Sequence, residues 1–142
     1  MTINIILPSL NSDINNVTEF EYTLGYFELK IGKNKVLFFS KKYCMIFYTI
    51  ENLYTIFNQL NINNNDTFEW IGEDNGNSFD VTFKNNNIHF FSNDFCIILN
   101  YEKFYKSLTK SIIIFQKKLI KLNVEIIKEK YFTNFMNLTQ NL

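Results

Sequence analysis

Few residues in this chain could do chemistry. His89 is the only histidine, and Cys44 and Cys96 are the only cysteines. A Cys–His nucleophile pair needs thiol and imidazole within hydrogen-bond reach. His89 sits in a short apolar strand, residues 88–91, where a lone histidine is expected to be structural or superficial. Both cysteines fall in apolar runs, residues 43–48 and 95–99, and read as buried free thiols. There is no CxxC or HxxxH spacing for zinc. The glycines, at 25, 32, 72 and 76, cannot assemble a dinucleotide-binding or phosphate-binding loop, and no GxSxG elbow exists. The expectation is a protein that is not an enzyme and holds no cofactor.

Carboxylates remain. Glu69, Glu73, Asp74 and Asp80 surround an Asn75-Gly76 hairpin signal. Such a cluster could hold a hard cation or supply an acid–base pair. The run Asp74-Asn75-Gly76-Asn77 lacks the alternating ligands and sixth-position glycine of an EF-hand loop, so no metal is expected. Two readings stay open: a solvated hairpin tip, or an acidic face for a basic protein partner, which would speed association and reject wrong partners. Trp70 lies between Glu69 and Glu73. Tryptophan is a favoured interface anchor, but the pairing of Trp70 with Phe68 on one strand face also suits a core.

The elements that position these residues follow from composition and period. The chain has 142 residues, the size of one domain spanning 1–142. Aromatics reach 18%, too many for a disordered chain. It holds 22 Asn, 19 Ile, 16 Phe, 14 Lys and 8 Tyr, with neither Ala nor Arg. All five enriched types can be encoded by A and T alone, which points to an AT-rich genome. Without Arg there is no bidentate fork for bases, so a sequence-reading nucleic-acid protein is not expected. Formal net charge is zero but segregated: residues 66–94 carry six acids and Lys84, and residues 101–142 carry eight lysines and three glutamates. The N-terminus lacks the basic region and apolar length of a signal peptide, and no run approaches a membrane span. A cytoplasmic location and no membrane partner are expected.

Residues 1–18 read as a lead-in, polar and Asn-rich over 8–18. Over 19–48 the alternation of Phe20, Tyr22, Leu24 and Tyr26, shifted in phase at Gly25 to Phe27, Leu29 and Ile31, predicts strands, with a turn at Gly32-Lys33-Asn34. The run 43–48 reads as an interior strand. Thr49 then reads as an N-cap of a helix over 49–60, with Ile50, Leu53, Phe57 and Leu60 on one face. Residues 67–99 return to strands, with Phe79, Val81 and Phe83 alternating. From 101 the period is helical: Tyr105, Leu108, Ile112, Phe115, Leu119, Leu122 and Ile126 form a stripe, with lysines off it. This is one helix, or two, over 101–138. The stripe is expected to pack on the sheet; a coiled-coil homodimer is the alternative.

The predicted class is α+β: an antiparallel meander, one inserted short helix, and a long amphipathic C-terminal helix packed on the sheet. The order of elements carries a resemblance. The helix Ile50-Glu51-Asn52-Leu53-Tyr54-Thr55-Ile56-Phe57, the strand Phe68-Glu69-Trp70-Ile71-Gly72, the Asp-Asn-Gly hairpin into Phe79-Asp80-Val81, and a last helix with Tyr101, Phe104 and Leu108 come in sequence. Across residues 20–122 this resembles the small α+β immunity proteins of bacterial polymorphic-toxin and contact-dependent inhibition systems, the WapI-like group in particular. The resemblance implies a cytoplasmic, non-enzymatic inhibitor that binds one cognate toxin domain, often a nuclease. Glu69, Trp70, Glu73, Asp74 and Asp80 would then be the partner-binding residues. The alternatives are a viral or phage interaction protein acting on a host factor or dimerising through the last helix, and a nucleic-acid module using the lysine-rich helix.

Overall fold

Side chains that alternate between apolar and polar build most of this molecule. The computed structural model describes residues 1–6, 24–39, 43–62, 66–73, 76–93, 95–121, 128 and 130–139. In chain order these form β1 (Thr2–Ile6), β2 (Leu24–Ile31), β3 (Asn34–Phe38), β4 (Cys44–Met45), α1 (Ile46–Ile62), β5 (Thr67–Ile71), β6 (Ser78–Lys84), β7 (Asn87–Ser92), β8 (Phe95–Asn100), α2 (Tyr101–Lys121) and α3 (Lys130–Asn137). The class is α+β, as the periodicity predicts. The strands form two antiparallel sheets and not a single meander: β1-β2-β3 with β4 on the start of β2, and β5-β6-β7-β8.

Turn chemistry fixes the registers. Ile31 pairs with Asn34, leaving Gly32-Lys33 as a two-residue loop with Gly32 at φ +60°. Lys84 pairs with Asn87, and Asn85 and Asn86 between them both sit at positive φ, 52° and 61°. That is the backbone a type I′ hairpin demands, and asparagine tolerates it better than other residues with a Cβ.

The inner faces of the two sheets meet around aromatic rings. Phe27, Phe38 and Phe39 of the first sheet's region pack on Trp70 with ring centroids 5.5, 5.7 and 4.8 Å away. Phe38 also meets Phe79, Phe90 and Phe95 edge-on, the arrangement the ring quadrupoles favour. Helix α1 buries about half its circumference, from Ile46 and Phe47 through Ile50, Leu53, Tyr54, Ile56, Phe57 and Leu60. The predicted face of Ile50, Leu53, Phe57 and Leu60 is fully inward.

Asn100, the last residue of β8, precedes helix α2, and its Oδ1 accepts from Lys103 N at 3.0 Å as an N-cap does. Its stripe of Leu108, Ile112, Phe115 and Leu119 is buried within the chain. Tyr54 Oη lies 2.9 Å from Thr109 Oγ1, Phe47 stacks on Phe115, and Phe104 meets Phe90 of β7 at 5.1 Å, so the buried face packs on the sheet, as predicted, and on α1. Ser111 Oγ hydrogen-bonds the Ile3 carbonyl, tying α2 to β1. The stripe is therefore occupied, and a coiled-coil pairing through it would need the core to open. Buried Gln116 joins α2 to the C-terminal segment: its Nε2 donates to the Phe135 carbonyl at 3.2 Å, and its Oε1 accepts from Thr139 Oγ1 at 3.1 Å.

Several expectations are corrected. The lead-in assigned to 1–18 contains a strand, β1, whose short alternation was too weak to stand out alone and is held by pairing Thr2–Ile6 with β2. The run 43–48 is not one strand: only Cys44–Met45 pairs, and the helix starts at Ile46. Thr49 is thus the fourth residue of α1 and not its cap. Its hydroxyl bonds back to the Met45 carbonyl at 2.8 Å. Phe20, Tyr22, Leu122 and Ile126 lie outside the described residues. Among the described residues no helix is long and apolar enough to cross a membrane.

Candidate functional site

The strands β5 to β8 present one face to the core and the other outward. Register decides which residues share the outer face. Glu69 stands opposite Asp80, Asp80 opposite Phe91, and Phe91 opposite Cys96. The next row runs Thr67, Thr82, His89, Ile98. Ile71 faces Ser78 at one end. Glu69, Asp80 and Cys96 are exposed, and His89 and Phe91 are half-buried. Ile71 and Ile98 keep 41% and 55% of their surface in water.

Two of the predicted acids are therefore direct cross-strand neighbours. Like charges placed opposite on an antiparallel pair repel, by roughly 0.2–1 kcal/mol. Neither Glu69 nor Asp80 has an ion pair among the described residues. Among the described residues, no cation relieves this repulsion.

The other predicted residues lie elsewhere. Trp70 points the opposite way from Glu69 and is 1% exposed. Its Nε1 donates to the Thr49 carbonyl at 2.8 Å. It cannot reach a partner in this fold, because the strand period puts it on the inner face; the partner-binding assignment of Trp70 is corrected to core. Glu73 is half-buried and locks β5's exit onto α1. Its carbonyl accepts from Met45 N at 3.0 Å, its N–H donates to Thr49 Oγ1 at 3.2 Å, and its carboxylate accepts from Asn52 Nδ2. Asp74 lies outside the described residues.

Of the two thiols, Cys44 is buried as the sequence predicts and Cys96 is not. Cys44 is fully buried and donates to the Gly25 carbonyl at 3.3 Å; desolvation pushes its thiol up to about 11. Cys96 is a free, exposed thiol on the outer face and not a buried one. His89 and Cys96 occupy diagonal positions on that face, not opposed ones. Among the described residues, no three of His, Cys, Asp and Glu gather as metal ligands would.

A groove of about 400 Å³ runs between β1 and α2, lined by Ile3, Ile5, Ser111, Ile114 and Lys118 among others. Among the described residues that line it, none is a carboxylate or a histidine that could perform acid–base work. In the first sheet, buried Glu28 accepts from Asn4 Nδ2 at 3.1 Å and meets Lys35 and Lys30 at 2.6 and 3.3 Å. The Lys35 ammonium, more than any other group, holds its carboxyl below the ordinary carboxylate range.

The residues that sequence reasoning missed are the apolar companions of the acids, Ile71, Phe91 and Ile98. The signal was the same period of two that placed Phe79, Val81 and Phe83 inward: Thr67, Glu69 and Ile71 had to share the other side. What the sequence withheld was which strands pair and in what register. No family model matches the chain, and neither a curated protein nor a solved structure is similar to it.

Proposed function

We propose that this protein is a non-enzymatic binding inhibitor of the immunity type, which docks the outer face of its β5–β8 sheet on a basic face of one toxin domain. The observation that supports this reading is the unrelieved Glu69–Asp80 pair, set among exposed Ile71 and Ile98 and half-buried Phe91. A repulsive pair costs stability in the free protein and gains attraction only when a cation arrives. Apolar side chains beside it supply the contact area that charges alone do not. Glu69 and Asp80 are the docking acids in this reading, and Glu73 supports the surface from behind. An inhibitor of this kind works in the cytoplasm, where an exposed thiol such as Cys96 stays reduced.

The test sequences the DNA flanking the gene for a secreted protein with a variable C-terminal domain. That domain is titrated with the full chain by calorimetry and used in a toxicity rescue assay, and a flank without one overturns the immunity reading. Wild type binds and protects. Glu69→Lys with Asp80→Lys weakens binding by about 100-fold, with most of the loss in the association rate. Undiminished binding and rescue by that double variant overturns the docking surface. Failure of the wild type to bind overturns the immunity reading itself.

A further inference from the structure

Helix α2 carries a second charged surface, opposite in sign and on another side of its own axis from the core. At 100° per residue, Lys103, Lys106, Lys110, Lys117 and Lys121 fall within an arc of about 60°. All five are exposed, as is Lys118 beside them. The diametrically opposite face is the buried one, with Phe104, Leu108, Ile112, Phe115 and Leu119. The core thus fixes the ridge outward. From Lys103 to Lys121 it is about 27 Å long.

The ridge is nearly free of acids. Glu102 is the one acid in α2, and it is taken by Lys106 at 2.6 Å. Lys103, Lys110, Lys117 and Lys121 have no ion pair among the described residues. Uncharged side chains flank the ridge: Ile114, 58% exposed, on one side and half-buried Ile113 on the other. A single row of ammonium groups on a rigid, convex rod matches a row of phosphates. About 27 Å of B-form duplex presents roughly eight phosphates on one strand. A membrane-seated helix instead lays an apolar face into the headgroup layer, and the apolar face of α2 is spent on the core. Lysine without arginine offers point charges and no forks for base edges.

We propose that the exposed lysine ridge of α2 binds the phosphate backbone of duplex nucleic acid, without reading its sequence. This surface is separate from the β5–β8 face, and the proposal does not rest on the inhibitor reading. The missing arginine argues against base recognition only; phosphate contact needs charge and spacing.

The test is fluorescence anisotropy of the full chain with three labelled 20-base-pair duplexes of unrelated sequence, over a salt series from 50 mM. The expected result is similar affinity for all three. The slope of log affinity against log salt is about −4, from four to five phosphate contacts. Lys110→Gln with Lys117→Gln and Lys121→Gln lowers affinity more than tenfold and reduces the slope by about 2.7. These positions are solvent-exposed, so the fold is retained. Lys33→Gln with Lys84→Gln, off the ridge, changes neither quantity. No binding to any duplex at 50 mM salt overturns the proposal. So does an unchanged slope in the triple variant, a strong preference among the duplexes, or binding to phosphatidylserine vesicles without binding to duplex.

Discussion

Trp70 Nε1 donates a 2.8 Å hydrogen bond to the main-chain carbonyl of Thr49, joining the first strand of the second sheet to the first turn of α1. The same threonine's hydroxyl accepts from the Glu73 N–H. One helical turn therefore holds both ends of a strand exit, and the sheet's outer face is oriented by what happens on its inner one.

Trp70→Phe keeps an aromatic ring but removes the donor and leaves a void. Urea denaturation should show a loss of about 2 kcal/mol, from the hydrogen bond and the small cavity together. Trp70→Ala should cost about 3–5 kcal/mol. A loss below about 0.5 kcal/mol for both would contradict the central place given to this ring.

Thr49→Val conserves shape and deletes the hydroxyl. The Glu73 N–H is then left without its acceptor in a half-buried site, at a cost of about 1–3 kcal/mol. Thr49→Ser keeps the hydroxyl and should cost less than Thr49→Val. Equal losses in the two variants would mean that packing, not the hydrogen bond, sets the role of Thr49.

Glu28 makes acid stability predictable in sign. Lys35, Asn4 and Lys30 stabilise its ionised form, so its folded value lies below the ordinary carboxylate range. The unfolded chain therefore takes up the proton first. The stabilisation is present above the unfolded value and is lost as pH falls through the folded one. In Tm measured against pH, Glu28→Gln should be less stable than wild type at neutral pH and converge on it in acid. A gap that stays constant down the whole acid limb would remove Glu28 from the account.

The two thiols should separate cleanly. Cys44 is buried with its thiol pushed up to about 11, and Cys96 is exposed. A disulfide reagent at pH 8 should modify one thiol quickly in the native protein and both in denaturant, because the thiolate is the nucleophile. Cys96→Ser should abolish the fast phase. Fast reaction of Cys44 in that variant would show that its site opens readily.

The sequence alone was enough to determine the class, the antiparallel habit and the inward faces. The apolar period of two in Phe79, Val81 and Phe83, and of 3.6 in Leu108, Ile112, Phe115 and Leu119, is read directly from local geometry. Turns at Gly32 and at Asn85-Asn86 were legible because positive φ restricts the residue type. It also showed that acids and lysines are segregated along the chain.

Tertiary structure decided the rest. Whether the 43–48 run was strand or helix depended on competition between pairing with β2 and packing α1 beneath the sheet, and short apolar runs do not encode that choice. Thr49 looked like a cap because its local chemistry is the same in a cap and in a helix, and only Trp70 and Glu73 across the fold assign it. The site followed the same rule. Glu69 and Asp80 are eleven positions apart in the chain, and only strand register sets them face to face and turns Trp70 away from them. Periodicity fixes which way a side chain points relative to its neighbours; what it meets there is set by contacts between residues far apart in sequence.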